Sequence, residues 1–280
     1  MRTLKPLELH FLGTGGGRFV MTTQRRRTAG IRLVHGDTQV HVDPGPGALV
    51  FSNWAGLSPR KLDGLVVTHC HPDHYTDAEV FIEAMTDGAR NKKGLLAAPR
   101  SVTRGVGDLG PCVSNYHKGL VGEIVELEPG TGFRVNDVEF TATKAVHSDP
   151  ASTGVRFNAP GVGSVGYTCD TGYFDGIGEQ HERQRLLILC VIWPRGNPLK
   201  MHLCTDDALQ VLSEARPASA ILTHFGWRML DADPAAEAEY LQEETGIPVI
   251  AAVDGMKATL GDQLVIQGPR KRDEPLRLDV

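Results

Sequence analysis

The sequence predicts an α/β protein built as a four-layer αββα sandwich, two mixed sheets packed face to face and flanked by helices. Three observations predict it. A strand-rich opening gives way to a helix, a second run of strands gives way to further helices, and no stretch between them reads as a linker. A doubly wound sheet would alternate strand and helix throughout.

Each element has its own signal. Apolar and polar residues alternate over 7–12, and the strand stops at Gly13-Thr14-Gly15-Gly16-Gly17. Strand-like runs follow at 31–35 and 39–42, then a short helix after Pro46 and a buried strand, Leu65-Val66-Val67. Residues 76–85 read as a helix whose Ala78, Phe81, Ile82 and Met85 share one face. Segments 123–127, 138–142, 154–157 and 164–168 read as strands broken by Gly, Pro and Asn, and 186–192 as a strand buried on both faces. The remainder predicts a helix over 205–215 with Thr205 as its N-cap, a strand at 220–223, a helix over 234–244 and a strand at 249–253. The organisation expected is one domain over 1–267 and a charged, solvated tail over 268–280.

Composition narrows the class. With 280 residues and 41% apolar content the chain can bury a full core. No apolar run reaches the roughly 20 residues of a spanning helix, and the first ten residues lack the layout of a secretory signal, so a cytoplasmic location is expected. Five cysteines at irregular spacing predict free thiols rather than a disulfide framework. A net charge of −5 offers a polyanion no general attraction, which favours a small substrate over a long nucleic acid.

The chemistry concentrates in Thr68-His69-Cys70-His71-Pro72-Asp73-His74, between the buried strand 65–67 and the helix after it. Alternate side chains of an extended segment point the same way, so His69 and His71 can chelate one ion while Asp73 and His74, at the turn, reach another. A chance cluster of loop histidines is the bland alternative; the anchoring strand and Pro72 argue against it. His147, Asp170 and His224 each close a strand-like run, where sites collect on rigid scaffolds. Singly, each would pass as an ordinary turn or core polar group.

Together these residues resemble the metallo-β-lactamase superfamily, whose signature Thr-His-x-His-x-Asp-His is met without a gap by Thr68 through His74. An early strand ending at Asp43, then His147, Asp170 and His224, follow the superfamily's order over nearly the whole chain. The resemblance implies the metallo-β-lactamase fold and two divalent metal ions per chain, with zinc expected and manganese or iron compatible with the same ligands. It implies that His69, His71 and His147 hold the first ion, that Asp73, His74 and His224 hold the second, and that Asp170 bridges them. Asp43 would orient the loop. Cys70 and Cys169 are expected to alternate away from the ligands and to be inert. The glycine loop carries Arg18 where a dinucleotide fingerprint needs its third glycine, and no helical pattern follows it; its amides stay available to an anion. Arg25-Arg26-Arg27 reads first as solvated surface.

Within the superfamily, His71 stands where oxygen-reducing di-iron members place glutamate, and the secreted β-lactamases begin with a signal segment. The region 201–208 followed by 222–228 resembles the phosphodiesterase branch, including ribonuclease Z, in which a histidine precedes the helix leading to the last ligand. His202 holds that place and is expected to act as general acid, with Asp73 the other catalytic residue and Arg228 binding the substrate phosphate. Only residues 148–169 separate His147 from Asp170, which leaves no room for the tRNA-gripping arm of ribonuclease Z. The expectation is therefore hydrolysis of a small or cyclic, nucleotide-like phosphodiester, without a long nucleic acid or a membrane as partner, and with a homodimer as the candidate assembly. A thioester or lactone hydrolase using the same metals is the rival, and a closed structural zinc module is disfavoured by the histidine-carboxylate ligand set.

Overall fold

The computed structural model describes residues 5–269. In chain order the strands are β1 (Leu7–Phe11), β2 (Ile31–His35), β3 (Thr38–Val42), β4 (Gly64–Val66), β5 (Leu95–Pro99), β6 (Glu123–Leu127), β7 (Gly132–Val135), β8 (Val138–Lys144), β9 (Thr153–Ala159), β10 (Gly163–Tyr167), β11 (Leu186–Trp193), β12 (Leu203–Cys204), β13 (Ala220–Thr223), β14 (Val249–Ala251), β15 (Met256–Leu260) and β16 (Leu264–Gln267). They form two sheets, ordered β16-β15-β1-β2-β3-β4-β5-β6 and β14-β13-β11-β10-β9-β8-β7, with β12 alongside β11. Both are mixed. The first is antiparallel from β16 to β3 and parallel from β3 to β6; the second is antiparallel from β7 to β10 and parallel from there to β14.

The helices are α1 (Gly17–Thr23), α2 (Ala48–Trp54), α3 (Pro72–Tyr75), α4 (Ala78–Met85), α5 (Arg100–Thr103), α6 (Asn115–Leu120), α7 (Ile177–Gln180), α8 (Thr205–Ala215), α9 (Trp227–Ala232) and α10 (Pro234–Thr245). Strand alternation sorts the apolar residues into layers. From β4, Val66 joins Leu9, Leu33, Phe140 and Ile188 between the sheets, whereas Leu65 and the following Val67 pack under α4 with Phe81, Ile82 and Met85. From β11, Ile188 and Cys190 face inward while Leu187, Leu189 and Val191 meet Val211 and Leu212 of α8. Each large apolar side chain so buried contributes about 1.5–3 kcal/mol, so packing rather than propensity holds a helix as short as α4.

The αββα sandwich is as expected, and the differences are local. The helix anticipated over 76–85 starts two residues later, as α4, and a separate short helix, α3, precedes it from Pro72; Asp77 marks the break between them by accepting the Leu49 N–H at 2.9 Å and donating its own N–H to Pro44 O. Thr205 is the first residue of α8 rather than its cap; Cys204 caps, with its N–H held by Asp207 Oδ2 at 2.9 Å. A helix, α1, does follow the glycine loop, contrary to the expectation. Val20 is the one residue it buries, so it has no apolar stripe to read. Strands β5, β7, β12, β15 and β16 also escaped the sequence reading. Among the described residues no helix is long and apolar enough to cross a membrane. The expected tail, from residue 270 onward, lies outside the described residues.

Candidate metal centre

Strand ends of both sheets meet at one edge of the sandwich. Asp43 follows β3, the segment 68–74 follows β4, and His147, Asp170 and His224 come soon after β8, β10 and β13. Three of these turns are left-handed at non-glycine residues, with φ 55° at Asp43, 53° at Cys169 and 62° at His224. L-residues adopt that conformation at a cost, and it persists where the surroundings enforce it, often at functional sites.

The ligand atoms converge in two trios. His69 Nε2 and His147 Nε2 each lie 3.0 Å from His71 Nδ1. In the second trio His74 Nε2 is 3.1 Å from His224 Nε2, and Asp73 Oδ2 is 3.3 Å from His224 Nε2 and 3.7 Å from His74 Nε2. Asp170 lies between them, Oδ1 3.1 Å from His224 Nε2 and Oδ2 4.0 Å from His147 Nε2. Ligands bonded at 2.0–2.1 Å around a tetrahedral zinc stand about 3.3 Å apart, so these spacings suit a cation at the centre of each trio. The seven side chains expected from the sequence are thus brought together, and among the described residues no cysteine joins a ligand group.

The buried polar balance also fits cations. Asp43, Asp73 and Asp170 are nearly enclosed around His74. Asp170 Oδ1, lying between the trios, is buried without a hydrogen-bond partner, an acceptor that a cation would satisfy. Burial, opposed in part by Asp170, holds His147 down to about 4, and it lowers His69 and His71 as well, leaving neutral rings, the form a metal takes. His74 goes the other way: burial works against its charge, but Asp43, Asp73 and Asp170 outweigh it and raise it well above the usual range. Burial would raise Asp170, yet His224 and His74 beside it hold it well below the carboxylate range.

Second partners fix which ring nitrogen faces each trio. His74 Nδ1 bonds Asp43 Oδ2 at 2.9 Å, and His147 Nδ1 donates to Met201 O at 2.9 Å. Asp43 also accepts Thr68 N–H at 2.7 Å, Thr68 Oγ1–H at 2.8 Å and the Tyr167 hydroxyl at 3.0 Å. From the other side Asp149 accepts Cys70 N–H at 2.8 Å and Ser101 Oγ–H at 2.6 Å, which immobilises the loop between its two first histidines. Asp149, Tyr167 and Met201 were missed by sequence reasoning. Cys70 packs with Cys112 beneath α4. Strand β10 stops at Tyr167, so alternation does not govern Cys169; its left-handed backbone turns the thiol into the core while Asp170 turns to the trios.

A cleft of about 550 Å³ opens over the ligands. His71, Asp73, Asp170 and His202 form its polar floor. His202 Nε2 lies 3.6 Å from Asp170 Oδ2 and its ring meets His147 edge-on at 4.7 Å; the side chain is 22% exposed. Burial disfavours its charge, but its hydrogen bond and attraction to Asp170 prevail and raise it. Arg228 is not among the lining residues. Its guanidinium stacks on Trp193 at 4.5 Å and Trp227 at 5.2 Å and donates to Asn197 Oδ1. Nor do the glycine-loop amides await an anion: those of residues 13–17 donate to Gly30 O, Asp254 Oδ1, Arg27 O, Phe225 O and Asp73 Oδ2 in turn. Arg25 pairs with Asp231, Arg26 bonds Thr14 Oγ1, and Arg27 stacks on Phe51, so the basic run is spent on structure.

A family model described as a beta-lactamase superfamily domain matches residues 38–225, from β3 to the residue after His224. The chain belongs to that superfamily. An uncharacterized protein of Methanocaldococcus jannaschii is 38% identical over 256 residues, 91% of this chain and 95% of its own length. Superfamily membership is shared with a ribonuclease Z of Thermococcus kodakarensis, 32% identical over 52% of this chain and 45% of that protein, so the match spans less than half of the enzyme. Among solved structures, the metallo-beta-lactamase fold protein YhfI from Bacillus subtilis superposes with a TM-score of 0.76 over 91% of this chain and 99% of its own, at 19% identity. Membership and ligand arrangement make the chain a metal-dependent hydrolase.

Proposed function

We propose that the chain is a two-metal phosphodiesterase for small or cyclic, nucleotide-like phosphodiesters. The observation that carries this reading is His202, which stands on the cleft floor beside Asp170 yet outside both ligand trios. It also comes within ligand distance of His147 and Asp170, but His147 already belongs to a complete histidine trio, which leaves His202 to serve the reaction. The ribonuclease Z likeness supports phosphorus rather than a carbonyl carbon as the electrophile.

Divalent cations held by the two trios supply Lewis acidity toward the phosphoryl oxygens and lower the pKa of a water. The chain's own residues do the rest. His69, His71 and His147 would hold one cation and Asp73, His74 and His224 the other, with the Asp170 carboxylate between the two trios. Gly17 N–H fixes Asp73 Oδ2 at 2.8 Å, which leaves Oδ1 to orient the attacking water. As the new P–O bond forms the attacking water gives up a proton to solvent, and as the P–O bond to the leaving group breaks His202 Nε2 gives its proton to the departing alkoxide. Among the lining residues Arg18 is the arginine or lysine that can meet the phosphate; Arg228 serves by holding the indoles. Segment 148–169 is spent on β9 and β10 inside the sheet, in keeping with a compact substrate.

A panel of cyclic nucleotides, a linear phosphodiester, a thioester and a lactone, offered to metal-reconstituted protein, tests the reading. Turnover of the phosphodiesters alone is expected. Turnover confined to the thioester or lactone would replace it with a carboxyl-ester hydrolase.

A further inference from the structure

We infer that the outer wall of the cleft is a stacking site for a planar aromatic group of the substrate, a nucleobase, built from Phe19 and Trp227 with Arg18 beside them. The inference rests on the phosphodiesterase reading and names the part of the substrate that reading leaves open. Phe19 is 70% exposed and Trp227 41% exposed, and both line the cleft that ends on His71 and Asp73. Neither ring is spent on the core. Phe19 sits on α1, a seven-residue helix that buries Val20 alone, so its ring stands outside the core.

Both walls are tied to the ligands. Gly17 N–H donates to Asp73 Oδ2 at 2.8 Å, Gly16 N–H donates to Phe225 O at 3.1 Å, and Gly15 pairs with Phe225 as in a parallel strand. Phe19 therefore stands two residues from a contact with one ligand, and Trp227 three residues from another, His224. The Arg228 guanidinium, anchored on Asn197 Oδ1 at 3.1 Å, lies against the rings of Trp193 and Trp227, so the indole wall is set before a ligand arrives. A phosphate placed over Asp73 and Asp170 has this wall beside it for its remaining group. Two aromatic faces and a guanidinium favour a flat π-system over a bare sugar or an alkyl chain, because every nucleobase has a face to stack and a ring to meet the cation. The volume of about 550 Å³ lies in the usual range for a small-molecule site.

The test compares binding of adenosine 5′-monophosphate and ribose 5-phosphate to the metal-loaded chain by calorimetry, so that it reads recognition without turnover. The nucleotide is expected to bind about tenfold more tightly, within the range of one stacked base. Phe19→Ala and Trp227→Ala should each draw that ratio toward one, and Phe19→Tyr should restore it, with circular dichroism confirming that each variant folds. A ratio near one in the unaltered chain, or a ratio both alanine variants leave untouched, would overturn the inference. So would sedimentation showing that Phe19→Ala dissolves a dimer while the ratio survives, since the wall would then belong to a second copy. Parallel hydrolysis of adenosine and ribose cyclic phosphates separates the two readings. If both are inert while the binding ratio stands, the phosphodiesterase reading alone fails. If both are cleaved at a ratio of one, the stacking site alone fails.

Discussion

At the scale of single residues, the candidate ligands were legible because their chemistry is local: three imidazoles and a carboxylate within 69–74 form a chelating set on their own. Their supports were not legible, because the partners are distant in sequence. Asp149 reaches Cys70 across 79 residues, Tyr167 reaches Asp43 across 124, and Asp254 reaches Thr14 across 240. Gly16 belongs to the same group. Its backbone is extended, with φ −153°, so no positive φ calls for glycine; a Cβ there would lie 2.2 Å from His224 Cε1 and Nδ1. Gly16→Ala should displace that imidazole and lower metal content from about two ions per chain toward one, the trio of His69, His71 and His147 being untouched. Elemental analysis of the folded variant reads this; undiminished content would contradict the placement of His224.

Elements were legible where one face is apolar and the other is not. The stripe Ala78, Phe81, Ile82, Met85 predicted α4, and all four residues are buried. Phe81→Ala should cost about 3–5 kcal/mol, read from the urea midpoint, because the ring fills a site between Leu65, Leu96 and the helix that cannot collapse fully. By contrast α1 has no stripe, and β15 and β16 add to the first sheet only after the chain has left it for some hundred and thirty residues, so their alternation had no visible partner. A further element-level prediction concerns α7. The ring of His181, which caps α7, is fully buried against Gly166 of β10, and burial followed by Arg156 pushes it down to about 3. The unfolded chain takes up that proton near 6.5, before the folded one does. The stability contributed by the neutral ring is therefore complete above pH 6.5 and is lost as pH falls toward 3, at up to about 1.4 kcal/mol per pH unit. His181→Phe should flatten the difference between urea midpoints at pH 7 and pH 5.5; an unaltered difference would assign the acid sensitivity elsewhere.

At the scale of the whole molecule, the centre joins the sheets: His69, His71, Asp73 and His74 come from the first, and His147, Asp170 and His224 from the second. Cations that bind only the folded chain stabilise it by mass action, so a chelator should lower the melting temperature by several degrees, and readdition of zinc or manganese should restore it. A melting temperature indifferent to the chelator would deny the metals this bridging place. Ligand order along the chain made the superfamily legible; the cleft did not show in the sequence, because its walls come from α1 and α9 on opposite ends of the ligand series. The proposed reaction turns on His202. The central measurement is His202→Ala, with metal content and turnover of a ribose-derived and an activated aryl phosphodiester measured side by side. The expected result is unchanged metal content, a fall of about 10²–10⁴ for the ribose-derived ester and a smaller fall for the aryl ester, whose leaving group needs less protonation. Undiminished turnover, or loss of a metal ion with the imidazole, would contradict it.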